Sequence, residues 1–130
     1  MEIVVSHEQG RVPVTVFRLK GDLTSDEPLQ SQAQEAFKAG TRNLILDLAQ
    51  VPYISSSGLR ALHNIYVLLR SDAPAESDAA ARSGVLAGTF KSPHLKLLNP
   101  SKDTLKVLSL AGYDMFLEIH HNFKEAIASF

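Results

Sequence analysis

The sequence has no cysteine, so disulfides, zinc–cysteine centres and thiol nucleophiles are excluded. It has no excess of either charge: 13 basic residues stand against 14 acidic ones, for a net charge of −1. Nothing in that balance attracts a polyanion, and nucleic-acid binding is not expected. No apolar run approaches the roughly 18–20 residues of a membrane span, so direct membrane contact is not expected either. The opening stretch MEIVVSHEQG lacks the basic segment of a secretory signal, and a reducing cytoplasm is the expected location. There is no G-x-x-x-x-G-K followed by Ser or Thr, and no G-x-G-x-x-G. Nucleotide binding therefore has no motif behind it, and no cofactor is expected.

The 130 residues, 45% apolar and 21% charged, suit one soluble globular domain over residues 1–130. EIVVSHE and VPVTVFRLKG are short and β-branched, with a turn at residues 8–11, and predict a hairpin of strands 2–8 and 12–20. In TSDEPLQSQAQEAFKAG, Leu29, Ala33, Ala36 and Phe37 form the apolar stripe of an amphipathic helix. Thr24 and Glu27 have capping-box spacing, and Gly40 supplies the stop. NLILDL reads as a strand covered on both faces. A helix follows from about 57 to 70, with Leu59, Leu62, Ile65, Tyr66 and Leu69 on its buried side. HLKLLN is a further strand, SKDTLKVLSLAG a helix, MFLEIH the last strand and NFKEAIASF a terminal helix, in which Asn122 and Glu125 have capping spacing. In SKDTLKVLSLAG either Leu105, Leu108 and Ala111 or Val107 and Leu110 face inward. Residues 71–93 break this rhythm and read as a partly disordered loop insertion. The order ββαβαβαβα implies an α/β fold with a mixed, mostly parallel sheet.

The informative stretch is VPYISSSGLRAL, residues 51–62. Serine is a favoured N-cap because its oxygen accepts a bond from a free N–H of the first helical turn. One serine meets that need, and a purely structural role accounts for it. The position allows more. The turn between a strand and a helix is where open α/β sheets place their sites. Free N–H groups and the helix dipole favour an anion there, and a phosphate on a serine would add about −1.5 to −2 charges.

Enzyme readings fail on the same residues. A G-x-S-x-G elbow centred on Ser56 needs glycine at 54, where Ile54 stands, and S-x-x-K from Ser57 needs lysine at 60, where Arg60 stands. A phosphoacceptor receiver domain would need an acidic pair after the first strand, but that strand ends in SHEQG, and Asp47 lies inside LILDL. The histidines His7, His63, His94, His120 and His121 show no ligand spacing, so no metal and no catalytic residue is assigned. Phe17, Phe37, Tyr66 and Phe116 fall where core is expected. Asp22, at a strand exit, is ordinarily a turn carboxylate, and beside the serine turn it would steer a partner's cation.

FRLKGDLTSDE, NLILDLAQVPYISSSGLRAL and LKLLNPSKDTLKVLSLAGYDMFLEI together resemble a STAS domain, the fold of bacterial anti-sigma factor antagonists. The resemblance covers nearly the whole chain except 71–93. Antagonists of this family carry a D-S-S-G or similar turn, phosphorylated on the serine before the glycine. That position is Ser57 here; Ser56 matches, and Ser55 stands in place of the acid. The resemblance implies a partner switch. The unphosphorylated form binds an anti-sigma factor that is also a serine kinase, and so frees a sigma factor. Phosphorylation of Ser57 ends binding, and a phosphatase restores it. Adjacency in such a fold implies a partner surface of Asp22, Thr24, Ser55, Ser56, Ser57, Gly58, Arg60, His63 and Asn64. Two other roles fit the same resemblance: a subunit of a lipid-type ABC transport complex, and a signalling scaffold that self-associates without phosphorylation.

Overall fold

The structure, a computed structural model, describes residues 1–70 and 92–130. The insertion expected at 71–93 lies outside them apart from its last two residues. β1 (Glu2–Gln9) and β2 (Pro13–Lys20) form the expected hairpin, and α1 (Glu27–Lys38), β3 (Leu44–Gln50) and α2 (Ser56–Leu69) follow. After the undescribed segment come β4 (Leu95–Leu98), α3 (Lys102–Leu110), a 3-10 turn (Tyr113–Met115), β5 (Glu118–His120) and α4 (Phe123–Ala128).

The five strands lie in sequence order, β1-β2-β3-β4-β5. β1 is antiparallel to β2, and the remaining pairs are parallel. Three successive right-handed crossovers running one way along a sheet place their helices on one face. The cores agree. Leu29 and Ala33 of α1, Leu62 and Ile65 of α2 and Leu108 of α3 pack with Phe17, Leu19, Leu46 and Leu97 of the sheet. The opposite face carries Val14, Val16, Ile45 and Leu98, covered by Ala126 of α4 and flanked by Phe123, Ile127 and Phe130. Leu44 to Leu48 are all buried, as a strand between two covered faces requires.

Several local expectations change. The capping box of Thr24 and Glu27 does not form: α1 begins later, behind Asp26, whose side chain makes no capping bond. MFLEIH is not one strand: Met115 ends the 3-10 turn and pairing is confined to Glu118–His120. Gly112, at φ 80°, turns the chain there, and the 3-10 turn sets the Tyr113 and Phe116 rings at a tilt with centres 5.2 Å apart. In α3, Leu108 and Thr104 are buried and Leu105 partly so, whereas Leu110 is largely exposed. Leu105 and Leu108 therefore face inward, but the expected third member of that side, Ala111, is exposed at the helix end.

Two buried polar groups tie these layers. Lys96, on the α4 side of β4, reaches the Ser129 carbonyl and hydroxyl at 2.9 Å each and a Glu118 oxygen at 3.1 Å. Burying an ammonium is costly unless it is paired and hydrogen-bonded in this way. Thr104 donates its hydroxyl to the Val51 carbonyl at 3.0 Å and receives the Ser101 hydroxyl at 2.9 Å. The first turn of α3 is thereby fixed against the chain leaving β3. Thr104→Val keeps the shape and strands a buried carbonyl, so it should destabilise the protein by roughly 1–3 kcal/mol in urea unfolding. A cost near zero would show that this bond does not hold α3 in place.

Candidate functional site

The site is built where β3 gives way to α2. β3 carries an irregularity near its end: Arg18 pairs with Asp47 but Lys20 with Gln50, so β3 holds one more residue than β2 over that span. Asp47 is buried there. Its carboxylate accepts the Ala49 N–H at 3.0 Å and pairs with Arg18 at 3.3 Å. Beyond β3 the chain is sewn to the exit of β2. Leu23 and Ile54 form a parallel bridge. The Leu23 N–H donates to the Tyr53 carbonyl at 2.9 Å, and the Ser55 N–H to the Leu23 carbonyl at 3.0 Å.

This stitch leaves no room at position 58. A Cβ on Gly58 would stand 2.3 Å from the Leu23 carbonyl oxygen and about 3 Å from the Leu23 and Ile54 side chains. Glycine is required for close approach of backbone to backbone. The three serines then separate by role. Ser55 is the N-cap: its Oγ accepts the Gly58 N–H at 3.3 Å and donates to the Leu23 carbonyl at 3.4 Å. Ser56 and Ser57 open the helix, Ser56 exposed and Ser57 half-buried. Helix geometry leaves their N–H groups without an intrahelical acceptor, so the positive end of the 14-residue α2 faces the space beside them.

The structure brings most of the expected surface together. Asp22 and Thr24 are exposed on the segment sewn to the serine turn. Ser56, Arg60, His63, Asn64 and Val67 are exposed along the outward face of α2, at helical spacing from the turn. Asn64 lies two turns away from Ser57. Sequence reasoning missed Tyr53. It stands between Pro52 and Ile54 and is 53% exposed beside the turn. Only its position between Pro52 and the serines could have signalled this. Below the turn, the Tyr113 hydroxyl donates to the Leu59 carbonyl at 2.7 Å, which fixes the first turn of α2 from underneath. Burial raises the Tyr113 phenol above the ordinary tyrosine value.

Among the described residues no three His, Cys, Asp or Glu side chains group as a metal site requires, and no helix is long and apolar enough to cross a membrane. The sequence model described as the STAS domain matches residues 4–73. The fold resembles an anti-sigma factor antagonist from Mycobacterium paratuberculosis, with TM-score 0.66 and 17% identity, over 98% of this chain and 93% of that one. It resembles the Bacillus cell fate determinant SpoIIAA in its phosphorylated form, with TM-score 0.60 and 20% identity, over 95% of this chain and 96% of that one. A STAS domain protein from Planctomyces limnophilus gives TM-score 0.63 at 18% identity, over 96% and 94% of the two chains. No curated protein sequence matches.

The stitch predicts an order of mutational costs. Gly58→Ala should be the most damaging single methyl in the site, about 3 kcal/mol or more, because its contact is backbone rather than a movable side chain. Ser55→Ala should cost about 1 kcal/mol as a lost cap. Equal costs in urea unfolding would contradict the packing described. Tyr113→Phe should cost about 1 kcal/mol at neutral pH. The raised phenol means the folded state holds the proton more tightly. That stabilisation is complete below the ordinary tyrosine pKa and lost as pH climbs through the raised one. The gap between wild type and Tyr113→Phe should therefore close in alkali.

Proposed function

This chain belongs to the STAS domain family, and on that premise we propose that it is an anti-sigma factor antagonist working through a phosphorylation-controlled partner switch. In its unphosphorylated form it binds an anti-sigma factor with serine-kinase activity and so frees a sigma factor. The kinase phosphorylates Ser57, binding ends, and a phosphatase resets the protein. The chain acts as the substrate and partner of these enzymes, with no catalytic chemistry of its own, in the cytoplasm.

The observation that carries this reading is the division of labour among the serines. Ser55 is committed to the cap and to Leu23, which leaves Ser57 as the partly exposed hydroxyl adjoining the required Gly58. A phosphate there meets the N–H groups and the positive end of α2, so the fold tolerates it. The same phosphate places up to two negative charges in the middle of the docking surface. A partner closely packed there must then bury an unpaired dianion, which costs several kcal/mol. The phosphorylated SpoIIAA structure among the fold neighbours supports the choice of chemistry. Ser55 replaces the acid of the family's turn, and its hydroxyl supplies the same cap without the charge. Recognition by the kinase then falls to the rest of the surface: Asp22, Thr24, Ser56, Arg60, His63 and Asn64, with Tyr53 as an aromatic anchor of the kind enriched at binding hot spots.

Incubation with ATP and the cognate kinase should place one phosphate on the chain, and Ser57→Ala should abolish it. Ser57→Asp should weaken kinase binding by about tenfold or more. Labelling that survives Ser57→Ala would refute the assignment. Tyr53→Ala should weaken binding by a comparable factor, as a lost aromatic anchor does, while leaving the unfolding midpoint within about 0.5 kcal/mol of wild type.

A further inference from the structure

β1 forms one edge of the sheet. It pairs with β2 without interruption from Glu2–Lys20 to Gln9–Pro13, and among the described residues its outer side ends the ladder. Natural edges are protected by shortness, proline, lysine, bulges or covering elements. The opposite edge has such protection: β5 is three residues long, and its Glu118 turns inward to Lys96. β1 spans eight residues with no proline, lysine or register shift. Its N-terminal half holds Ile3-Val4-Val5, and Val4 and Val5 are each 40% exposed on opposite faces. Glu2 and Glu8 lie near its two ends.

We propose that β1 pairs antiparallel with β1 of a second copy of this chain, across a two-fold axis at Val4. Side-chain complementarity selects both the occupant and the register. An axis normal to the sheet keeps every residue on its own face, so only residues an even number apart stand opposite one another. Centred on Val4, the pairing sets Val4 against Val4, Ile3 against Val5 twice and Glu2 against Ser6 twice. It covers the apolar Ile3–Val5 stretch on both faces and opposes no like charges. Centred on Val5, it would set Glu2 against Glu8 twice, which like-charge repulsion disfavours. Centred on Ser6, it would set Val4 against Glu8 and Ile3 against Gln9; centred on Ile3, Glu2 against Val4.

In this register Glu2–Ser6 of each β1 are paired strand against strand, about 17 Å of edge, so the contact stays below the roughly 1,200 Å² of a standard interface. The dimer is therefore reversible and concentration-dependent. The axis also reverses strand direction. The two serine turns, each at the C-terminal end of its β3, emerge at opposite ends of the joined sheet and remain open to partners.

The test exploits the absence of cysteine. Sedimentation equilibrium of the wild-type chain should show a monomer–dimer equilibrium with a dissociation constant on the order of 100 μM. Val4→Lys, with two ammonium groups meeting on the axis, should weaken it by about tenfold or more, and mixing Val4→Lys with Val4→Glu chains should restore dimers. Val4→Cys places the two sulfurs across strands about 4.5–5.5 Å apart at Cα, within disulfide reach. It should cross-link under mild oxidation far faster than His7→Cys, whose two copies stand about 20 Å apart in this register. A wild-type chain that stays monomeric to about 1 mM, or cross-linking no faster at position 4 than at position 7, would overturn the proposal.

Discussion

The site depends on one missing methyl group. Because Gly58 has no Cβ, α2 starts against the backbone of Leu23, and the exit of β2 bridges to Ile54 beside it. That contact sets where α2 begins, which serine becomes the cap and which hydroxyls remain free. The supports around it act on the same segment from other sides. Thr104 holds Val51, Tyr113 holds Leu59 and the Asp47 carboxylate shapes the last residues of β3. A Cβ at position 58 would push first on the Leu23 carbonyl and on the Leu23 and Ile54 side chains.

With the turn fixed this way, chemistry at its surface is separable from stability beneath it. Leu62, Ile65 and Leu69 anchor α2 on its inner side, each full burial contributing about 1.5–3 kcal/mol. The hydroxyl of Ser57 takes no part in that packing. Under the proposed switch a charge added there would change what docks on the molecule more than whether it folds, the property a reversible switch needs. The Leu23 stitch places the Asp22–Thr24 segment beside the serine turn from which α2 begins.

Much of this was legible in the sequence, where the signals are local. The apolar run LILDL, the amphipathic stripes and the serine-glycine turn follow from periodicity and capping chemistry, and the structure agrees with them. The misses come from long-range contacts. Thr24 has the spacing of a cap, but the Leu23–Ile54 bridge pulls that residue away from the helix and α1 starts at Glu27. MFLEIH has strand-like residues, but the 3-10 turn sets Phe116 against the rings of Tyr113 and Tyr66, at 5.2 and 5.1 Å. Tyr53 carried no signal of its own: it is exposed although Val51 and Ile54 near it are buried. Lys96 stands in an apolar strand, and its partners Glu118 and Ser129 are more than 20 residues away in sequence. The open edge at β1 follows from strand order, which no local pattern encodes.

The central claim is that a dianion at Ser57 is received by the entrance of α2 without repacking the core. It is tested most directly by amide NMR of the protein carrying phosphoserine at that position, installed during synthesis, against the unmodified chain. The account predicts large shifts of the amides at 56–59, smaller ones at 22–24, and unchanged resonances for core residues such as Leu46, Leu97 and Leu108. Shifts spread through the sheet, or loss of the folded spectrum, would contradict it.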